Sequence, residues 1–389
     1  CRYCKEISDE GLEHLDKLIE LDCGWCVNIS DKTIKRQRLL TKLKCSGCKM
    51  ISDTGIVYLN KLTTLECEYC VRISDAGLER LNELIELRCE YCDGISDKTL
   101  EHLKNLMVLE FSNSMDISDV GVKCLRNLKI LECKDSNKIS DISIKYLDKL
   151  EKLQCSGCRN ISDESIKLLD NLEELYCTCC ENISDEGIKY LRKLKILSCG
   201  GSKYISDKSI KYLNNLKILK CCCSRTISDE GVICLKKLES LNCSMCKNIG
   251  DKGIMGLTKL KILNCSECKK ITDNGVMYLK NLMTLDCSRC KNISDDSIKC
   301  LNNLILLKCR YCKKISDSSI KKLRKLKTLD CEGCEYITDD GIKKMKNLTT
   351  LVCDYCDNIS KKGILALKKL TAINCSNSKK ISNKFIESL

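Results

Sequence analysis

The sequence predicts an α/β solenoid of about 18 repeats of 22 residues, with a parallel strand ladder on a concave face and short helices or 3-10 segments on a convex one. Three observations predict it. An isoleucine that opens an Ile-Ser-Asp motif or a close variant falls at Ile7, Ile29, Ile51, Ile73 and onward to Ile381, 18 times at a spacing of 22 without insertion or deletion. The column holding Leu62 and Leu84 is leucine in all 17 copies. Each unit also carries an apolar stripe that it cannot bury alone, so neighbouring units must stack.

Within one unit, Leu65-x-Cys67 alternates and suits a very short strand with its apolar side inward. Ser74 and Asp75 follow, both good N-cap residue types. Leu78, Leu81 and Leu84 then recur every third residue, which suits a short helix or 3-10 segment. The Gly77 column holds Gly, Ser or Thr in the other copies up to Gly363, so the turn there favours a small residue. No linker or composition break interrupts the pattern, which predicts one continuous domain over 1–389. The chain opens on Cys1 in mid-pattern, the expectation for a piece of a longer protein. Disorder is excluded, because 43% of the residues are hydrophobic and their positions are periodic. No apolar run approaches the roughly 18 residues of a membrane span, so no membrane partner is expected.

The unit Leu62-x-x-Leu65-x-Cys67-x-x-Cys70-x-x-Ile73-Ser74-Asp75-x-Gly77-Leu78-x-x-Leu81 resembles a cysteine-containing leucine-rich repeat. It is similar to the repeats of F-box/LRR proteins and of leucine-rich-repeat proteins encoded by giant DNA viruses, and the resemblance covers the whole chain. The unit is shorter than the usual form of about 26 residues, which implies short convex helices. The resemblance implies a non-enzymatic protein-recognition scaffold, sharpened to the substrate-recognition part of an F-box-type ubiquitin ligase or a viral mimic of one. It also implies an intracellular setting, in cytoplasm or nucleus, of the host cell if viral. An F-box opens on Leu-Pro; the chain has no proline and no segment outside the repeats, so none lies in these residues.

Of the 36 cysteines, 30 fall in two columns. The strand column (Cys1, Cys23, Cys45 to Cys375) departs from cysteine only at Phe111, and the loop column (Cys4, Cys26, Cys48 onward) holds serine at 114, 136, 202, 224 and 378. Cys-x-x-Cys spacing suits zinc, and a metal-binding array is one alternative function. Phenylalanine cannot ligate a metal and serine is a poor replacement, so the substitutions favour packing, with no metal and no cofactor expected. A chain with 36 cysteines, 30 of them explained by packing, fits a reducing compartment. Six cysteines lie elsewhere: Cys179, Cys222 and Cys223 just past strands, where exposed thiols are expected, and Cys124, Cys234 and Cys300 in a convex column. That column also holds Tyr58, Tyr146, Tyr190, Tyr212, Tyr278, His14 and His102, and is expected to be half-buried. The Asn-Ile-Ser triplets at Asn28, Asn160, Asn182, Asn292 and Asn358 match a glycosylation acceptor, but they arise wherever Asn precedes the repeated Ile-Ser.

Residues 1–132 hold 19 Lys and Arg against 23 Asp and Glu, a net −4, and residues 133–389 hold 48 against 31, a net +17. The basic part makes nucleic-acid binding a second alternative, expected to be weak and unspecific because no recognition motif accompanies it. No catalytic constellation stands out; the Asp of Ile-Ser-Asp recurs in 16 of 18 units and builds the repeat. Aromatic residues sit two positions past the strand cysteine at Tyr3, Trp25, Tyr69 and Tyr91, and again at Tyr311 and Tyr355. Outward aromatics beside charges have the composition of protein contact surfaces. The expected partner site is the concave face of the first five units: Trp25, Tyr69 and Tyr91, framed by Asp22, Glu66, Glu68, Glu86, Glu90 and Glu110. Its carboxylates select a protein partner with a basic segment, bound by a monomer.

Overall fold

A computed structural model describes residues 1–112 and 116–381, and the loop-column Ser114 lies outside them. The chain divides into two compact units, Cys1–Leu194 and Lys195–Leu389. In the first, a 3-10 turn at Glu10–Leu12 precedes eight strands of three residues each, from Glu20–Asp22, Lys42–Lys44, Thr64–Glu66, Glu86–Arg88 and Val108–Glu110 to Glu174–Tyr176. Each pairs in parallel with the next, and the leucines stay in line: Leu21 with Leu43, Leu43 with Leu65, Leu65 with Leu87. The second unit repeats the arrangement with nine strands, from Ile196–Ser198 to Ala372–Asn374.

Between strands the chain makes a helix of one turn, such as Asp53–Ile56 or Asp229–Val232. A single repeat shows what each column does. Leu65, Cys67, Cys70, Ile73, Leu78, Leu81 and Leu84 are all buried, and so is Phe111 in the strand cysteine column. Ser74 caps its own helix, its hydroxyl accepting from the Ala76 N–H.

The motif aspartate acts elsewhere. Its carboxylate reaches the next repeat: Asp53 accepts from the Ser74 backbone N–H at 2.7 Å and from the Ser74 hydroxyl at 2.6 Å. The same pair of bonds recurs from Asp9 with Ser30 to Asp339 with Ser360. This explains the small column. A Cβ added at Gly77 would meet Asp53 Oδ1 at 2.4 Å. In several copies with Ser or Thr the hydroxyl donates to that same carboxylate, as Thr33 does to Asp9 at 2.6 Å and Ser143 to Asp119 at 2.5 Å, while the Ser297 and Ser319 hydroxyls donate to a carbonyl of their own turn. Alanine offers no such donor, and it never appears in the column.

The loop cysteines form a second ladder. Cys48, Cys70, Cys158 and Cys180 each donate the S–H to a strand-column carbonyl 25 residues earlier, at 3.0 or 3.1 Å. Ser378 makes the same bond to the Cys353 carbonyl at 3.0 Å, whereas the Ser136 and Ser224 hydroxyls bond within their own turns. Burial pushes the Cys89 thiol well above its ordinary range. Among the described residues, no three His, Cys, Asp or Glu side chains are placed to share a metal ion.

Two readings of the sequence need correction. The Asn-Ile-Ser asparagines are not incidental: Asn28, Asn160 and Asn182 donate to carbonyls of the preceding repeat at 2.7–2.8 Å. The convex Tyr and His column is not half-buried filling. Tyr58, Tyr146, Tyr190, Tyr212 and Tyr278 are exposed, as are His14, His102 and Cys234; only Cys124 and Cys300 are half-buried. The helix ends after one turn, so a residue just past it lies along the outside, where Arg126 stands 4.3 Å over the Tyr146 ring.

Candidate functional site

The strand fixes where each outward side chain stands. Past each strand the chain turns within four residues, and the N–H of Cys70 closes the turn on the Cys67 carbonyl at 3.0 Å. The third residue of that turn has φ between 55° and 80° at every described copy, whether it is Gly47, Gly157, Gly201 and Gly333 or a residue with a side chain. Tyr3, Trp25, Tyr69 and Tyr91 therefore occupy left-handed backbone that glycine adopts freely, at a cost of about 1 kcal/mol each. The glycines, together with Asp135 and Asn377, were the sequence signal for this conformation.

The turn directs the four rings outward and into contact. Tyr3 and Trp25 stack at 6.4 Å between centroids and 9° between planes, and Tyr69 and Tyr91 at 4.7 Å and 15°. Trp25 and Tyr69 belong to repeats two apart, yet their rings are 5.8 Å apart. Gly47 lies between them: a Cβ there would come within 2.6 Å of the indole. Removing that side chain lets Trp25 span the missing repeat and join the strip, a role for Gly47 that sequence reasoning missed. Trp25, Tyr69 and Tyr91 are each about 40% exposed.

The predicted carboxylates gather beside the rings but differ in their state. Glu66 is buried among three cations: Lys44 at 2.7 Å, Arg2 at 3.3 Å and Arg88 at 3.8 Å. Arg2 also pairs with Asp22 at 3.2 Å, and Arg88 with Glu86 at 2.7 Å and with Glu110. Burial and the neighbouring Glu132 push Glu110 up to about 7 despite its bond to Arg88. Glu68 and Glu90 have no cation among the described residues; they accept from the hydroxyls of Ser46 and, at 2.9 Å, Ser112. An open hollow of about 340 Å³ lies here, lined by Arg2, Trp25, Ser46, Glu66, Glu68, Tyr69, Arg88 and Glu90.

The exposed-thiol expectation holds at Cys179 and Cys223, while Cys222 is half-buried. On the helical side, several basic residues are tied down: Lys149, Lys193 and Lys237 donate to asparagine side chains of the preceding repeat. Among the described residues, no helix is long and apolar enough to cross a membrane.

This fold is a leucine-rich-repeat solenoid, the class whose members commonly serve as protein-recognition scaffolds. A family described as Leucine Rich repeat matches residues 256–280 and 322–346. No curated protein matches the sequence. Among solved structures, a leucine-rich-repeat protein of Leptospira interrogans is similar at a TM-score of 0.63 and 22% identity, over 93% of this chain and 97% of that one. The functional domain of InlJ from Listeria monocytogenes, described as including a cysteine ladder, is similar at 0.58 and 21%, over 90% and 76%. Rad7 of yeast, solved in complex with Elc1, is similar at 0.54 and 19%, over 94% and 88%.

Proposed function

We propose that the chain is a non-enzymatic protein-recognition scaffold whose partner docks on the strand face of the first five repeats. The aromatic strip carries this reading. Four rings are held outward on backbone that would relax with glycine, and they form one apolar surface whose spacing the ladder presets, so little entropy is lost on binding. The finer form is a monomer acting as the substrate-recognition part of an F-box-type ubiquitin ligase, or as a viral mimic of one. The repeat's resemblance supports it, and a similar fold occurs in Rad7, solved with a protein partner. The burial of the two cysteine columns as packing residues supports an intracellular, reducing setting.

The test is capture from lysate with wild type, a Trp25→Ala/Tyr69→Ala/Tyr91→Ala variant, and a helical-side triple, Lys189→Ala/Arg192→Ala/Lys193→Ala. The aromatic variant should lose the captured proteins, by about 2 kcal/mol or more per anchor, and the helical-side variant should keep them. The reverse pattern refutes the assignment of the face. Ubiquitin-ligase subunits among the captured proteins would support the finer form.

A further inference from the structure

We propose that the occupant of the aromatic strip is an arginine-bearing segment of a partner protein, its guanidinium packed against Trp25 and Tyr69 and bridging the carboxylates of Glu68 and Glu90. This rests on the strand face being the docking surface, and it names the chemistry that surface selects. Charge complementarity is the first argument. Around the strip, Asp22, Glu66, Glu68, Glu86, Glu90 and Glu110 face three cations, Arg2, Lys44 and Arg88, which leaves three negative charges when all are ionised. The three cations engage four of the six carboxylates. Two of those three charges therefore fall on Glu68 and Glu90, which have only hydroxyl partners among the described residues. They occupy the same column of adjacent repeats, about 5 Å apart in backbone, where like charges repel. A cation shared between them removes that repulsion.

The second argument is shape. Glu68 and Glu90 border the same hollow of about 340 Å³ as Trp25 and Tyr69; Arg2 and Arg88 line it too but are held by Asp22, Glu66, Glu86 and Glu110, so a cation entering beside Glu68 and Glu90 meets ring and carboxylate together. A guanidinium is planar, packs on rings and bridges two acceptors through separate N–H groups, whereas an ammonium is a compact, more strongly hydrated charge. The third argument comes from the second unit. There Arg289, in the same turn column, places its guanidinium 5.2 Å from the centre of the Tyr311 ring and 3.7 Å from Glu267. Tyr311 itself lies over Gly333, as Trp25 lies over Gly47. The scaffold thus holds arginine on an aromatic of this column with its own side chain, and at Trp25 and Tyr69 no cation of the described residues takes that place.

Trp25 is the one tryptophan of the chain, so its fluorescence reports on this site alone. The probe is an acetylated and amidated Gly/Ser peptide carrying two arginines two residues apart, titrated against the full chain. Peptides with citrulline or lysine in their place serve as comparisons. The arginine peptide should change Trp25 emission with a Kd below about 1 mM, and the uncharged citrulline peptide should bind at least about tenfold more weakly. The lysine peptide should bind severalfold more weakly than arginine. Glu68→Gln/Glu90→Gln, checked for an unchanged far-ultraviolet dichroism spectrum, should lose about tenfold for arginine, with Glu68→Gln alone falling between. Equal binding of arginine and citrulline, an unaffected double variant, or no response at several millimolar overturns the proposal. Lysate capture that depends on the aromatic triple while the arginine peptide fails would overturn this inference and leave the scaffold reading standing. Loss of both would overturn the docking face itself.

Discussion

Replacing Gly231 by alanine isolates the contact that joins one repeat to the next. A Cβ at this position would lie 2.4 Å from Asp207 Oδ1, so the carboxylate must withdraw by about 1 Å to reach ordinary contact. It holds three bonds that withdrawal strains: from the Ser228 N–H at 2.8 Å, the Ser228 hydroxyl at 2.6 Å and the Gly231 N–H at 3.1 Å. Bonds to a charged acceptor contribute about 1.5–3 kcal/mol each, so weakening two of them costs about 3 kcal/mol. Helix propensity returns about 1 kcal/mol on going from glycine to alanine, which leaves a net loss of about 2 kcal/mol. Asp207→Ala removes the obstacle. In that background Gly231→Ala should be neutral or stabilising, although Asp207→Ala itself costs about 3 kcal/mol by stranding its donors. Gly231→Ser should stay within about 1 kcal/mol of wild type, because serine in this column can donate to the carboxylate, as Ser143 does to Asp119. The measurement is guanidinium unfolding followed by dichroism, with the first transition compared across variants, since repeat arrays need not unfold in one step. Equal losses from Gly231→Ala with and without Asp207 would refute the reasoning.

The same ladder sets an acid limit. Burial opposes ionisation of Asp75, Asp273 and Asp295, but the hydroxyl and amide donors outweigh it and hold all three below the usual carboxylate range. A lowered folded pKa gives stability that is complete above about pH 4 and lost as pH falls further, so thermal unfolding should show a steep decline below that point. Glu110, pushed up to about 7, has the opposite sign: rising pH costs stability between about 4.5 and 7, and Glu110→Gln should flatten that part of the profile. In the cysteine ladder, Cys180→Ser should be nearly neutral, because Ser378 makes the equivalent bond, whereas Cys155→Asp buries an unpaired carboxylate and should cost several kcal/mol, far more than Cys155→Val. Equal unfolding midpoints for the two Cys155 variants would show that the column does not face the core. Protein purified without chelator should carry no stoichiometric zinc by elemental analysis, and several ions per chain would overturn the packing account of the cysteines.

Most of the fold was legible because the repeat reduces folding to one recurring problem. A spacing of 22 without interruption predicts the register of every strand, and Phe111 among cysteines marks an apolar slot. The partner-site residues were legible as outward columns. Their condition was not. Glu66 is neutralised by Lys44 and Arg88 of the adjacent repeats and by Arg2, which reaches it from 64 residues away, whereas among the described residues no cation pairs with Glu68 or Glu90. The exposure of the Tyr146 column was misread because the helix closes after the single turn Asp141–Ile144, which leaves the residue just past it along the outside.

By itself, the sequence determined which columns face inward, which residues begin each helix and that the units stack. Burial of apolar side chains follows from local alternation and from the chain's own period. Only the tertiary structure decided what each polar group meets. The carboxylate of Asp53 belongs to the helix of the next repeat, the S–H of Cys70 to the carbonyl of Cys45, and the Trp25 ring to the space over Gly47. These contacts depend on distance and direction between backbones 21 to 25 residues apart, which a one-dimensional pattern of residue types does not encode.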